Sequence, residues 1–208
     1  MNKLTIVVGS FAVNCLIIWD DPDAACVVDP GGDAHLITDA LEKHGLRPAA
    51  YLITHGHMDH ISALKQVHER YPAPCHMHSA DQDWAFTPIN SIPTVYPPPQ
   101  PLPAGSLHQA VEGATVQNGG LNWTVLHTPG HTPGCVCYHE QSRQLLLTGD
   151  TLFQGSAGRT DLPGGNPAIL RQSLARLATL PEATEIIPGH GPATTLLTEK
   201  QFNPFLAR

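Results

Sequence analysis

Six consecutive residues constrain this chain more than any others: His55-Gly56-His57-Met58-Asp59-His60, three imidazoles and one carboxylate in a single short stretch. A neutral imidazole nitrogen is the commonest protein ligand for borderline divalent metals. A packed core has no ordinary use for four such side chains, because each would need a polar partner. One His-x-His alone is a weak signal. The pattern is strengthened by His131, Asp150 and His190. Each follows an apolar, strand-like run, residues 124–127, 145–148 and 185–187, and sits next to a glycine. Glycine allows the tight backbone approach a ligand loop needs, and ligands at the same ends of several strands converge on one rim of a sheet.

Length and composition bound the rest. The 208 residues suit one domain, 1–208, and a hydrophobic fraction of 41% can build its core. The net charge is −7, and the 11 Lys and Arg form no basic run, which argues against a nucleic-acid surface. Nothing approaches the roughly 18 consecutive apolar residues of a membrane span. Residues 4–13 read as a first strand rather than a leader, because Thr5, Gly9 and Ser10 interrupt them and no small-x-small site follows. Cys15, Cys26, Cys75, Cys135 and Cys137 are odd in number and contain no C-x-x-C, so buried free thiols in a reducing cytoplasm are expected. A thiol metal site at Cys135 and Cys137 is disfavoured against packing.

Residues 4–8, 15–19 and 24–28, separated by turn residues, read as an antiparallel meander. Asp33 is placed to cap a helix with Leu36, Ile37, Ala40 and Leu41 on its apolar face. A strand at 51–54 runs into the histidine cluster, and residues 61–70 read as one helix. Residues 75–78 form a short strand with a second His-x-His, His76 and His78. No Asp-His follows it, so two partly exposed strand histidines are expected there. Trp84 and Phe86 on the next helix are expected in the core. Residues 87–104 contain seven prolines, an extended connector in preference to a wall or lid over the site. Strands follow at 114–117, 123–127, 135–139 and 144–148, then a helix near 167–179 and a strand at 185–187. Phe202, Phe205 and Leu206 are expected to clasp the core.

Together these residues resemble the five-motif signature of the metallo-β-lactamase-fold superfamily, and the resemblance covers nearly the whole chain. Cys15, Val28-Asp29-Pro30-Gly31-Gly32, Thr128-Pro129-Gly130-His131-Thr132-Pro133-Gly134, Thr148-Gly149-Asp150-Thr151-Leu152-Phe153 and Pro188-Gly189-His190-Gly191 resemble its glyoxalase II (hydroxyacylglutathione hydrolase) branch, in the short single-domain bacterial form. The resemblance implies an α+β fold, a four-layer αββα sandwich with a metal site at one edge between the sheets. It implies that His55, His57 and His131 hold one ion, that Asp59, His60 and His190 hold a second, and that Asp150 bridges them. The cofactors implied are two divalent ions, zinc first, with iron or manganese as alternatives. The activity implied is hydrolysis of a glutathione thioester such as S-lactoylglutathione by a hydroxide shared between the ions, with Asp59 catalytic as its proton acceptor. Two divalent cations against two aspartates and one hydroxide leave the pocket positive, which suits a small anionic thioester.

The chain departs from the longer members of that branch, which carry a helical glutathione-binding domain. Arg159 stands where a lysine is expected, and Asp161 and Pro192 stand where tyrosines are expected. Arg159 is the one substrate contact retained in kind, able to bind a carboxylate bidentately or to pair with Asp161. One alternative function is a persulfide dioxygenase of the same fold. It resembles this chain at Gly158-Arg159-Thr160-Asp161 and would hold one iron through His55 or His57, His131 and Asp150. A hydrolase of another ester, lactone or thioester is a further alternative. A non-catalytic metal-binding module would need its open coordination position blocked.

Overall fold

The computed structural model describes residues 1–206. The chain opens with the expected meander: β1 (Asn2–Val8), β2 (Val13–Trp19) and β3 (Ala24–Val28) pair antiparallel. Helix α1 (Ala34–Lys43) then crosses to β4 (Arg47–Leu52), which pairs parallel to β3. Two short helices, α2 (Met58–Ile61) and α3 (Leu64–Arg70), lead to β5 (Cys75–Met77). Helix α4 (Ser79–Ala85) and the proline-rich segment lead to β6 (Leu107–Gln109), the last strand of a sheet ordered β1-β2-β3-β4-β5-β6.

The second sheet is built from β7 (Thr115–Asn118), β8 (Leu121–His127), β9 (Val136–Glu140) and β10 (Leu145–Gly149). A small ribbon, β11 (Leu152–Phe153) and β12 (Ser156–Ala157), and helix α5 (Pro167–Leu177) intervene before β13 (Glu185–Pro188) and β14 (Thr194–Thr195) complete the order β14-β13-β10-β9-β8-β7. Helix α6 (Leu196–Phe202) follows.

Three apolar cores define the layers. Leu16, Ile18, Cys26, Val28 and Leu52 of the first sheet meet Trp123, Val125, Tyr138, Leu145 and Leu147 of the second. The alternate residues Cys15, Ile17, Ala25 and Val27 face the other way, onto Ile37, Leu41, Leu64 and Val67 of α1 and α3. Cys137, Leu146 and Ile186 face Leu170, Leu174 and Leu177 of α5 and Leu196 of α6. Strands buried on both faces read as apolar runs, as in residues 15–19 of β2 and 145–147 of β10. The result is an αββα sandwich. All five cysteines are buried and free. No helix among the described residues is long and apolar enough to cross a membrane.

Strand direction places the site. β8 and β10 both run antiparallel to β9, and β13 runs parallel to β10. The C-terminal ends of β8, β10 and β13 therefore share one edge of the second sheet. In the first sheet the parallel pair β3 and β4 delivers Asp29 and the His55–His60 loop to one edge. The edges are joined where Val136 N–H donates to the Thr54 carbonyl at 2.8 Å.

Three local expectations are corrected. Asp33 is not a side-chain cap, since its carboxylate accepts from Gly9 N–H at 2.8 Å. The helix expected over 61–70 is split, because Ala63 N–H donates to Pro30 O instead of continuing the helix. The tail is held by a polar latch rather than an aromatic clasp. Phe202 and Phe205 are 75% and 53% exposed, whereas Asn203 is buried and its Nδ2 donates to Phe153 O and Ser156 O. Of the expected trio only Leu206 packs onto the core.

Candidate metal centre

The seven residues named from the sequence as ligands meet at the shared edge. Three clusters of donor atoms form: His55, His57 and His131; Asp59, His60 and His190; and His55, His60 and Asp150. His57 Nδ1 lies 3.0 Å from His55 Nε2 and 2.9 Å from His131 Nε2. His190 Nε2 lies 3.3 Å from His60 Nε2 and 3.4 Å from Asp59 Oδ2. Asp150 touches both clusters, with Oδ1 3.4 Å from His60 Nε2 and Oδ2 3.5 Å and 3.6 Å from His131 Nε2 and His190 Nε2. Ligand nitrogens about 2.1 Å from a tetrahedral ion stand about 3.4 Å apart, close to these separations.

The outer hydrogen bonds select the tautomers. His131 Nδ1 donates to Arg159 O at 2.7 Å, His190 Nδ1 to Phe11 O at 2.9 Å and His60 Nδ1 to Asp29 Oδ2 at 2.9 Å. Thr54 Oγ1 donates to Asp29 Oδ2 at 2.6 Å, which leaves its lone pair to accept from His55 Nδ1 at 3.1 Å. Four rings thus carry their hydrogen outward and turn Nε2 into the site, while His57 turns in Nδ1. Holding the outer nitrogen fixes ring orientation and raises ligand basicity. Lone pairs facing one another at about 3 Å, together with a buried Asp150 Oδ1 that has no hydrogen-bond partner, call for a cation. The residues fit divalent metal.

The electrostatics divide the clusters. Burial, reinforced by neighbouring imidazoles, holds His55 well below the usual histidine range and His57 down to about 4. Burial also opposes charge on His60, but Asp150, Asp59 and Asp29 lift it well above that range. His190 is raised against burial by its hydrogen bond to Asp59 and by Asp150. Burial would raise Asp59 and Asp150, yet the facing imidazoles hold both below the usual carboxylate range.

Several residues support the centre in ways that the sequence left unassigned. Asp29, at φ 45°, also accepts from Thr54 N–H. A non-glycine residue in the left-handed region stores strain that functional sites tolerate. Asn14 grips the His190 loop by donating to Pro188 O and Gly191 O. A Cβ on Gly189 would fall 2.7 Å from His60 Cε1, so only glycine fits there. Asn90, from the proline-rich segment, donates to Gly56 O and accepts from Met58 N–H. Tyr96 Oη accepts from Phe11 N–H, so this connector also borders the centre. Trp84 is half-buried rather than a core anchor, its ring 5.5 Å from that of His57.

Arg159 stands apart. Its guanidinium is 61% exposed and pairs bidentately with Asp161 at 2.7 Å, while its carbonyl orients His131. A depression of about 410 Å³ beside the centre is lined by Phe153, Gln154, Ser156, His190, Gly191 and Pro192.

Known proteins resemble the chain over the same span. A probable metallo-hydrolase of Bacillus subtilis, YqgX, is 40% identical and covers 96% of this chain and 94% of its own. The hydroxyacylglutathione hydrolase GloC of Haemophilus influenzae is 36% identical over 99% and 98%. The BLEG-1 B3 metallo-β-lactamase superposes with a TM-score of 0.92 at 37% identity, covering both chains fully. TTHA1623, solved in a di-iron-bound form, gives 0.88 at 34%, over 98% of this chain and 100% of its own. Residues 8–190 match the model of the metallo-beta-lactamase superfamily, and the chain belongs to that superfamily, a metallo-hydrolase by its relatives and its ligand set.

Proposed function

We propose that the chain is a binuclear hydrolase that cleaves the thioester of an acylated glutathione such as S-lactoylglutathione. The observation that carries this reading is the pair of three-donor clusters joined by Asp150 beside an open depression. GloC, similar over nearly its whole length, supports the substrate class. Bound divalent ions supply Lewis acidity to an acyl carbonyl and lower the pKa of a water towards about 7. Zinc suits the imidazole and carboxylate donors, and the di-iron form of TTHA1623 makes iron the first alternative.

The chain's own residues do the rest. The imidazole donors of His55, His57 and His131 would add no negative charge and would leave an ion its full polarising power. Asp59, held ionised by His60 and His190, accepts the proton of the attacking water and orients it. Asp150 neutralises charge between the clusters and fixes their separation. Phe153 offers an apolar face, and Gln154 and Ser156 offer polar groups, to a peptide-like leaving thiol. Arg159 exchanges Asp161 for a substrate carboxylate at the rim. The five free cysteines fit a reducing compartment, and we assign the enzyme to the cytoplasm.

Metal analysis with a thioester assay tests this. Two ions per chain, and loss of S-lactoylglutathione absorbance without oxygen uptake, are expected. One iron per chain, with oxygen consumed in the presence of glutathione persulfide, would replace the hydrolase with a dioxygenase.

A further inference from the structure

We infer that Asp81 is a positioning residue that sets the register of the three-histidine cluster, an inference resting on the reading of that cluster as a metal site. Asp81 lies on α4, its carboxylate is fully buried, and no ion-pair partner meets it among the described residues. Three hydrogen bonds meet it instead. Oδ2 accepts from Gly56 N–H at 2.8 Å and from Thr132 Oγ1 at 2.7 Å, and Oδ1 accepts from Gly134 N–H at 2.8 Å. Gly56 lies between His55 and His57, Thr132 follows His131, and Gly134 ends the same loop. One loop leaves the first sheet after β4 and the other leaves the second sheet after β8, so a single carboxylate ties together the ligand loops of both sheets.

The fit is built for it. A Cβ on Gly134 would lie 2.5 Å from Asp81 Cγ, and one on Gly56 would lie 3.0 Å from Asp81 Cβ. Hydrogen bonds to an ionised group are the stronger kind, and a buried carboxylate that loses a donor becomes costly. Both loops are therefore held to Asp81, and with them the approach of His57 Nδ1 to its two neighbours. The other cluster is held elsewhere: His60 by Asp29, and His190 by Phe11 O and Asn14. Asp81 therefore acts on one cluster and not on the other.

Zinc binding to the metal-free protein, measured by competition with a chromophoric chelator, tests this. Asp81→Asn keeps the shape but turns an amide NH2 towards N–H and O–H donors. The binding event lost in His57→Ala should weaken about 10- to 100-fold, the other less than about threefold, and the visible cobalt(II) spectrum of the weakened site should change. Thr132→Val removes one donor only; it should weaken the same event several-fold, and it carries the test if Asp81→Asn does not fold. Equal weakening of both events, or of neither, in the variant that folds would overturn the role. A wild-type chain that binds no ion would overturn the metal reading itself.

Discussion

The chain contains two His-x-His stretches with the same spacing and opposite fates. His55 and His57 flank a glycine in a loop, and their inward nitrogens stand 3.0 Å apart. His76 and His78 flank Met77, which is buried in the core and anchors β5. His76 lies opposite His108 on β6, with ring centroids 5.5 Å apart. His78 leaves the strand as the N-cap of α4, accepts from Ala80 N–H and stacks on His127 at 4.1 Å. Burial lowers the pKa of all four, so the sign of that shift does not separate the pairs. Direction does. One pair points its lone pairs at a common spot that His131 completes, and the other gives its rings to a helix terminus and two separate neighbours.

Breaking the converging pair should have the largest effect. His57→Ala removes the nitrogen shared by two close contacts, and turnover should fall about a thousandfold or more, about 4 kcal/mol in transition-state stabilisation. Turnover within tenfold of wild type would remove this cluster from the chemistry. Asp29→Asn should come next. It replaces an acceptor that serves Thr54, and through it His55, and also His60. Metal affinity should drop about 10- to 100-fold with the fold retained, and chelator competition would read the change.

Acid sharpens the comparison further. In the unfolded chain His57 takes a proton near pH 6.5, whereas in the folded, metal-free chain it resists until about pH 4. Between those values the unfolded state binds more protons. The stability tied to this group is full above pH 6.5 and is lost as pH falls towards 4. His57→Gln in metal-free form should therefore lose less stability than the metal-free wild type between pH 7 and pH 5, by at most about 2 kcal/mol. Urea unfolding at the two pH values measures the difference, and identical slopes would show that His57 is not the group resisting protonation.

The converging side chains were legible in the sequence because His55 and His57 flank a glycine and His131, Asp150 and His190 each follow an apolar run beside one, a local pattern. The layers were legible for the same reason: residues 15–19 of β2 and 145–147 of β10 are apolar runs, and α1 and α5 have helical spacing. What escaped is contact between distant residues. Nothing local marks Asp81 as the carboxylate between two loops, or Asn203 rather than Phe202 as the latch. Asp81 meets partners 25 to 53 residues away, and the two carbonyls that make Asn203 a latch lie 47 and 50 residues away. The helix break at Ala63 likewise depends on Pro30 O, a partner no periodicity reveals.

The smallest effect belongs to the second pair. His76→Gln removes a half-buried ring that lies beside His108, and His78→Ser keeps an oxygen to accept from Ala80 N–H at the start of α4. The double variant should lose no more than about 1 kcal/mol of stability, the range of substitutions that create neither a cavity nor an unpaired buried group. Its metal content should equal that of wild type, and its turnover should stay within about twofold. The discriminating number is metal per chain. If the double variant bound fewer ions, the stacked and strand-paired histidines would be ligands after all, and convergence of lone pairs would not be what separates the two stretches.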